Sequence, residues 1–133
     1  ALAPAAPATY RLQILHGSDF EAGLLAAGRA DRFAAIVDRL EDALPNSITL
    51  SGGDNFIPGP FGAAGTDASV VPVLRAYYEQ ALGLAAGTLS SLAGTSSPFF
   101  VADIAILNAI GIQASALGNH EFDYGQDTLR ARM

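Results

Sequence analysis

Three times along the chain a short apolar run ends in small residues and then in side chains that carry oxygen or nitrogen ligand atoms. "RLQILH", Arg11 to His16, leads into Gly17-Ser18-Asp19; Ile48 to Leu50 leads into "SGGDN"; and Ile112 to Leu117 leads into "GNHEFDYG". The spaces between these runs are helical in pattern. Phe33, Ile36, Val37, Leu40 and Leu44 fall on one helix face within residues 30–44, and Pro45-Asn46 stops that helix. Val70 to Leu82 repeats the pattern with Val70, Val73, Leu74, Tyr77, Tyr78 and Ala81. Ser97-Pro98 marks the start of a strongly apolar helix that reaches Ile110, with Gly111 as its C-terminal cap, and a last helix begins around Gln126. Residues 83–97 are open between a helix extension and an irregular excursion. Strands alternating with helices predict βαβ units and a parallel sheet, hence an α/β fold.

A parallel sheet places the carboxyl ends of all its strands along one edge. Asp19 and Glu21 follow the first strand, Asp54 the second, and Asn119 and His120 the third. Each stands just beyond an apolar run, so each can be held at the rim of a core. Carboxylates, an amide oxygen and an imidazole suit Mn, Fe, Zn, Mg or Ca rather than a soft metal. Acids gathered in a small volume repel one another unless cations neutralise them. Two metals can clamp a phosphate and activate a water. Asp54, on the middle run, is placed to bridge two ions, and Gly52-Gly53 lets the backbone come close. Taken singly, each of these residues also fits a plain role: an Asp at a strand end is commonly a turn former or helix cap, and Gly118-Asn119 alone could be a turn.

Composition narrows the function classes. The chain has 133 residues, half of them hydrophobic, enough for one modest domain with a real core. Thirteen acids face seven bases, all Arg, for a net charge of −6. That balance argues against nucleic acid as the main partner. Phosphate handling would need bound cations. With no Cys, thiolate ligands, Cys nucleophiles and disulfides are excluded. The longest apolar stretch, Phe99 to Leu117, is interrupted by Asp103, Asn108 and Gln113, so no membrane span is expected. Residues 1–9, "ALAPAAPAT", read as a flexible tail, and Ala1-Leu2-Ala3 echoes the small-x-small end left by signal-peptide removal.

The set "ILHGSDFE", "LSGGDN" and "ALGNHEFDYG" resembles the calcineurin-like metallophosphoesterases, and within them the 5′-nucleotidase branch, a secreted or periplasmic family. The likeness runs from about Leu12 to Asp127, and "GNHEFD" after a hydrophobic strand is its most specific part. It implies a four-layer αββα sandwich with a mostly parallel sheet, of which residues 10–133 would be the N-terminal half of an incomplete domain. It further implies two divalent metal ions, a water activated by them, and a phosphate-ester substrate such as a nucleotide. Carried across, Asp19 would ligate the first metal, Asp54 would bridge both, and Asn119 would ligate the second. His120 would stabilise the transition state or protonate the leaving oxygen, with Asp123 orienting it.

Two departures from the family pattern follow. The family usually has Asp-x-His after strand one; here it is Asp19-Phe20-Glu21, and Glu21 is expected to take the place of that His as a metal ligand. The family's later His ligands are absent: the only His residues are His16 and His120, and His16 is expected in a core or strand-end role. The chain therefore reads as a fragment that needs the remainder of the same protein to complete both metal sites. Rival readings are another phosphomonoesterase or phosphodiesterase, alkaline phosphatase-like in behaviour, and a non-catalytic module that keeps the fold. Tyr77 and Tyr78 are expected to pack a helix face, Phe56 and Phe61 to anchor their loop, and Glu121 to stabilise the last loop.

Overall fold

The computed structural model describes residues 9–20, 28–55, 64–89 and 101–130. Expectations for residues 1–8, for Glu21, for Phe56 and Phe61, and for the helix start at Ser97-Pro98 lie outside that set.

Strand β1 spans Gln13–Gly17, helix α1 Ala30–Ala43, strand β2 Ser47–Ser51, helix α2 Val71–Ala81, helix α3 Val101–Ile110, strand β3 Ala114–Ser115 and helix α4 Gln126–Arg130. Single 3₁₀ turns lie at Ala64–Thr66 and His120–Phe122. The sheet runs β1-β2-β3 and both pairings are parallel. The protein is thus α/β with a small parallel sheet, as the alternation of apolar patterns predicts.

Local chemistry explains the boundaries. Leu44 turns extended after α1, and the following Pro45-Asn46 carries the chain into β2. Asn46 uses its carbonyl to accept the N–H of Gln13 at 2.8 Å, which starts the β1–β2 ladder. Gly111 ends α3 at φ +98°, and the N–H groups of Gly111 and Ile112 both return to the Leu107 carbonyl. That left-handed cap is one only glycine adopts at little cost. Strand β3 is shorter than the expected Ile112–Leu117. Its pairing nevertheless reaches past the two strand residues: Gln113 N–H donates to Thr49 O and Ala116 N–H to Ser51 O, each at 2.9 Å. The Gln113 side chain also accepts the Thr49 N–H at 2.9 Å.

Helix α3 is apolar on nearly all sides, and such a helix belongs in the interior. Ala102, Ala105, Leu107 and Ile110 are buried along it. It packs against α1, where Val37 is buried, and against α2, where Leu74 is buried. Tyr77 and Tyr78 sit half-buried on α2 against this cluster, their rings edge-on at 5.4 Å, which is the packed helix face expected of them. The sheet turns one face to α1. Gln13 donates to the Leu40 carbonyl at 2.7 Å, and Thr49 donates its hydroxyl to Glu41. Leu12, Ile14 and His16 lie on the opposite side of the sheet and are exposed, so His16 is a strand-end residue and not a core one. Among the described residues no helix is long and apolar enough to cross a membrane.

Candidate functional site

The register aligns the strand ends. Gly17 pairs with Ser51, and Ser51 with Ser115, so the three chains leave the sheet side by side. Asp19, Asp54 and Asn119 follow two, three and four residues later. The loops after β1 and β2 are joined by two backbone bonds: Gly52 N–H donates to Gly17 O at 2.8 Å and Asp19 N–H to Gly53 O at 3.0 Å. Phe20 then folds back across Gly17, leaving no room for a Cβ there, and its ring meets Phe33 of α1 at 5.5 Å.

Among the described residues only two non-glycine residues have a left-handed backbone, Asp19 at φ +57° and Asp54 at φ +53°. Such a conformation is uncommon outside glycine, and Asp and Asn are the residues that adopt it most readily. Both are acids that the sequence singles out as metal ligands.

What enforces the Asp54 conformation is the β3 loop. The Glu121 carboxylate is almost fully buried, at 1% exposure. It accepts three backbone N–H groups: Asp54 at 3.0 Å, Asn55 at 2.6 Å and Gly118 at 2.6 Å. In return Asp54 Oδ1 accepts the N–H of His120 at 2.8 Å. The two loops touch backbone to backbone. A Cβ on Gly53 would lie 3.0 Å from Gly118 Cα, and a Cβ on Gly118 would lie 2.7 Å from Asp54 N and collide with its carboxylate. Both glycines are therefore required by close approach.

Asn55, buried at 2% exposure, completes the floor. Its amide donates to Ser115 Oγ at 2.8 Å and accepts from Ser51 Oγ at 2.6 Å, tying the ends of β2 and β3 together. Sequence reasoning did not find Asn55; its place directly after Asp54 in "SGGDN" was the available signal.

His120 and Asp123 form a pair, Nδ1 to Oδ2 at 2.8 Å, both partly exposed. The 3₁₀ turn over His120–Phe122 explains it, because three residues per turn align i with i+3. Asp123 N–H donates to the His120 carbonyl at 3.2 Å, closing that turn. An ionised carboxylate only accepts, so the ring carries its proton on Nδ1.

The oxygen donors fit a hard divalent cation. Asp19 is exposed and Asp54 half-buried, and among the described residues no Arg pairs with either. Ser18 donates its hydroxyl to Asp19. With the exposed Asn119 amide, the described residues supply two carboxylates and one amide oxygen to this edge. Among them no three His, Asp or Glu side chains gather into a metal-holding group; Glu21, the other expected ligand, lies outside the described residues.

A second acid is buried away from this edge. Asp103, in the first turn of α3, is 5% exposed and its Oδ1 has no hydrogen-bond partner. Burial pushes its carboxyl up to about 7. Its charge reaches Tyr78, which burial raises to about 12, and Tyr124, beside the His120–Asp123 pair. The sequence signal was a lone acid in an apolar helix. No known protein family, curated protein or solved structure matches this chain.

Proposed function

We propose that the chain carries part of a metal-dependent phosphoesterase site of the 5′-nucleotidase type, acting on phosphate monoesters such as nucleotides. The observation that carries this reading is the pair of left-handed acids, Asp19 and Asp54, on adjoining loops beside the His120–Asp123 pair. Asp tolerates this backbone better than most residues, and two such acids on adjoining strand-end loops suit carboxylates aimed at a cation.

In this reading Asp19, Glu21, Asp54 and Asn119 would hold divalent cations. Such cations, when bound, would supply positive charge against the phosphate and activate a water. The chain's own contribution is orientation. Asp123 holds the His120 ring through Nδ1, and protonated His120 sets its second proton toward the bridging or leaving oxygen of the ester. Such a positioned group stabilises the charge that develops as the phosphoryl group transfers. The backbone bond from His120 N–H to Asp54 Oδ1 fixes the distance between the acid–base group and the cation ligand.

The test is Mn²⁺ titration of the purified chain by calorimetry, with p-nitrophenyl phosphate turnover followed alongside. Saturable binding that Asp54→Asn abolishes is the expected result. No binding at millimolar Mn²⁺, or binding that Asp54→Asn leaves unchanged, overturns the reading.

A further inference from the structure

We infer that Glu121 is a positioning residue: its buried carboxylate holds Asp54 in the left-handed conformation that presents the carboxylate to a cation. The role rests on the reading of Asp54 as a cation ligand. It assigns to Glu121 no contact with metal or substrate.

The geometry carries the argument. A buried carboxylate is costly unless it is fully hydrogen-bonded. Glu121 meets that condition without any cationic side chain, using only backbone N–H groups. Oε2 takes Asp54 N–H and Gly118 N–H; Oε1 takes Asn55 N–H. Two of the three donors belong to Asp54 and its successor, 67 and 66 residues away in sequence. The third belongs to Gly118, whose backbone lies against Gly53. One side chain thus fixes the peptide planes on both sides of the strained Cα and pins them to the neighbouring loop. Released from it, Asp54 is free to leave φ +53° for the extended or right-handed regions, and its carboxylate swings away from the edge where Asp19 lies.

Residues just outside a metal's own ligands hold those ligands in orientation, and losing one typically weakens metal affinity by about 10–100-fold. Glu121→Gln keeps the length and volume. Its amide group, however, turns an NH₂ toward at least one backbone N–H that now lacks an acceptor. Glu121→Asp is the gentler variant, with the charge kept and the reach shortened by one methylene. Val37→Ala is the control: Val37 is buried on α1, makes none of these bonds, and its truncation lowers stability without touching the loops.

The experiment is Mn²⁺ titration of the full chain and the three variants by calorimetry, at a temperature where circular dichroism shows each one folded. Wild type is expected to bind. Glu121→Gln is expected to weaken the Mn²⁺ Kd by about 10-fold or more, with occupancy restored at saturating Mn²⁺, and Glu121→Asp to fall between. Val37→Ala is expected to lower Tm and leave the Kd unchanged. Wild-type binding with unaltered Kd in Glu121→Gln and Glu121→Asp overturns the positioning role alone. An equal loss in Val37→Ala also overturns it, because affinity would then follow general stability. Wild type that binds no Mn²⁺ overturns the metal reading itself, and this role with it. If Glu121→Gln does not fold, the Kd of Glu121→Asp against that of Val37→Ala decides the matter.

Discussion

Asp103→Asn should make the protein more stable at neutral pH, and the size of the effect follows from where Asp103 sits. It is the one acid on α3, buried against the α2 cluster, with an oxygen that meets no donor. The carboxyl ordinarily titrates at 3.8 and is held in the fold at about 7. Between those values the unfolded chain has released the proton and the folded chain keeps it. The folded state therefore binds more protons, and stability falls as pH rises through this window. At about 1.36 kcal/mol per pH unit, the gap corresponds to a destabilisation of roughly 4 kcal/mol, absent below about pH 4 and complete above about pH 7. Tyr78, raised to about 12, stays protonated throughout and adds nothing to the slope. Urea unfolding of wild type and Asp103→Asn at a series of pH values from 4 to 8 isolates the term, since all other groups are common to both. The difference in unfolding free energy should climb by roughly 4 kcal/mol in favour of the variant across that range. A flat difference, or one that falls with pH, would refute the account of a buried carboxyl without a partner.

Other expectations bear on the site and the core. In the full-length protein, His120→Ala should lower kcat for p-nitrophenyl phosphate by about 10²-fold or more while Mn²⁺ binding persists; unchanged kcat removes His120 from the chemistry. Gly118→Ala forces a Cβ onto Asp54 and should cost roughly 1–3 kcal/mol in urea unfolding, together with weaker Mn²⁺ binding. A silent Gly118→Ala would mean that the two loops are not in backbone contact. Glu79, which accepts the Gly87 and Leu89 N–H groups, is held below the usual carboxylate range first by the Leu89 bond and then by the Gly87 bond. Its contribution is therefore present above the ordinary carboxylate value of 4.5 and lost as pH falls through its folded value, the opposite sign to Asp103. Hydrogen exchange at Gly87 and Leu89 should accelerate in Glu79→Ala at neutral pH; unchanged exchange would refute the tie.

The strands, the helices and the convergence of Asp19, Asp54 and Asn119 on one edge were legible because they follow from period and topology. Apolar runs that stop at glycine mark strand ends, and parallel pairing puts those ends together. Gly111 could be read as a cap because few other residues end a helix that way. What lay beyond reach was the satisfaction of backbone groups. The resemblance of "GNHEFD" assigns Asp123 to His120, and Glu121 was expected to stabilise the loop; that Glu121 does so by turning inward to three backbone N–H groups was not legible. The left-handed backbone of Asp19 and Asp54 was hidden for a similar reason, because Asp is at home in many turn types. The short β3 reflects a partner supplied by side chain: Gln113 gives an amide oxygen to Thr49 N–H where a longer strand would give a carbonyl. Asp103 was visible as an odd residue in an apolar helix, but its missing partner is a property of the packed interior.

The cross-loop bonds between Asp54 and Glu121 also set an order of events during folding. They join residues 67 apart, closing the stretch of chain that contains α2 and α3. Contacts that close so long a stretch of chain are entropically expensive and tend to arise late. The left-handed acid is therefore among the last features to be installed. A nascent or partly folded chain carries the same acids without this geometry. In folding kinetics, Val37→Ala should slow folding while Glu121→Gln mainly speeds unfolding, the signature of a core that nucleates and a site that closes afterwards.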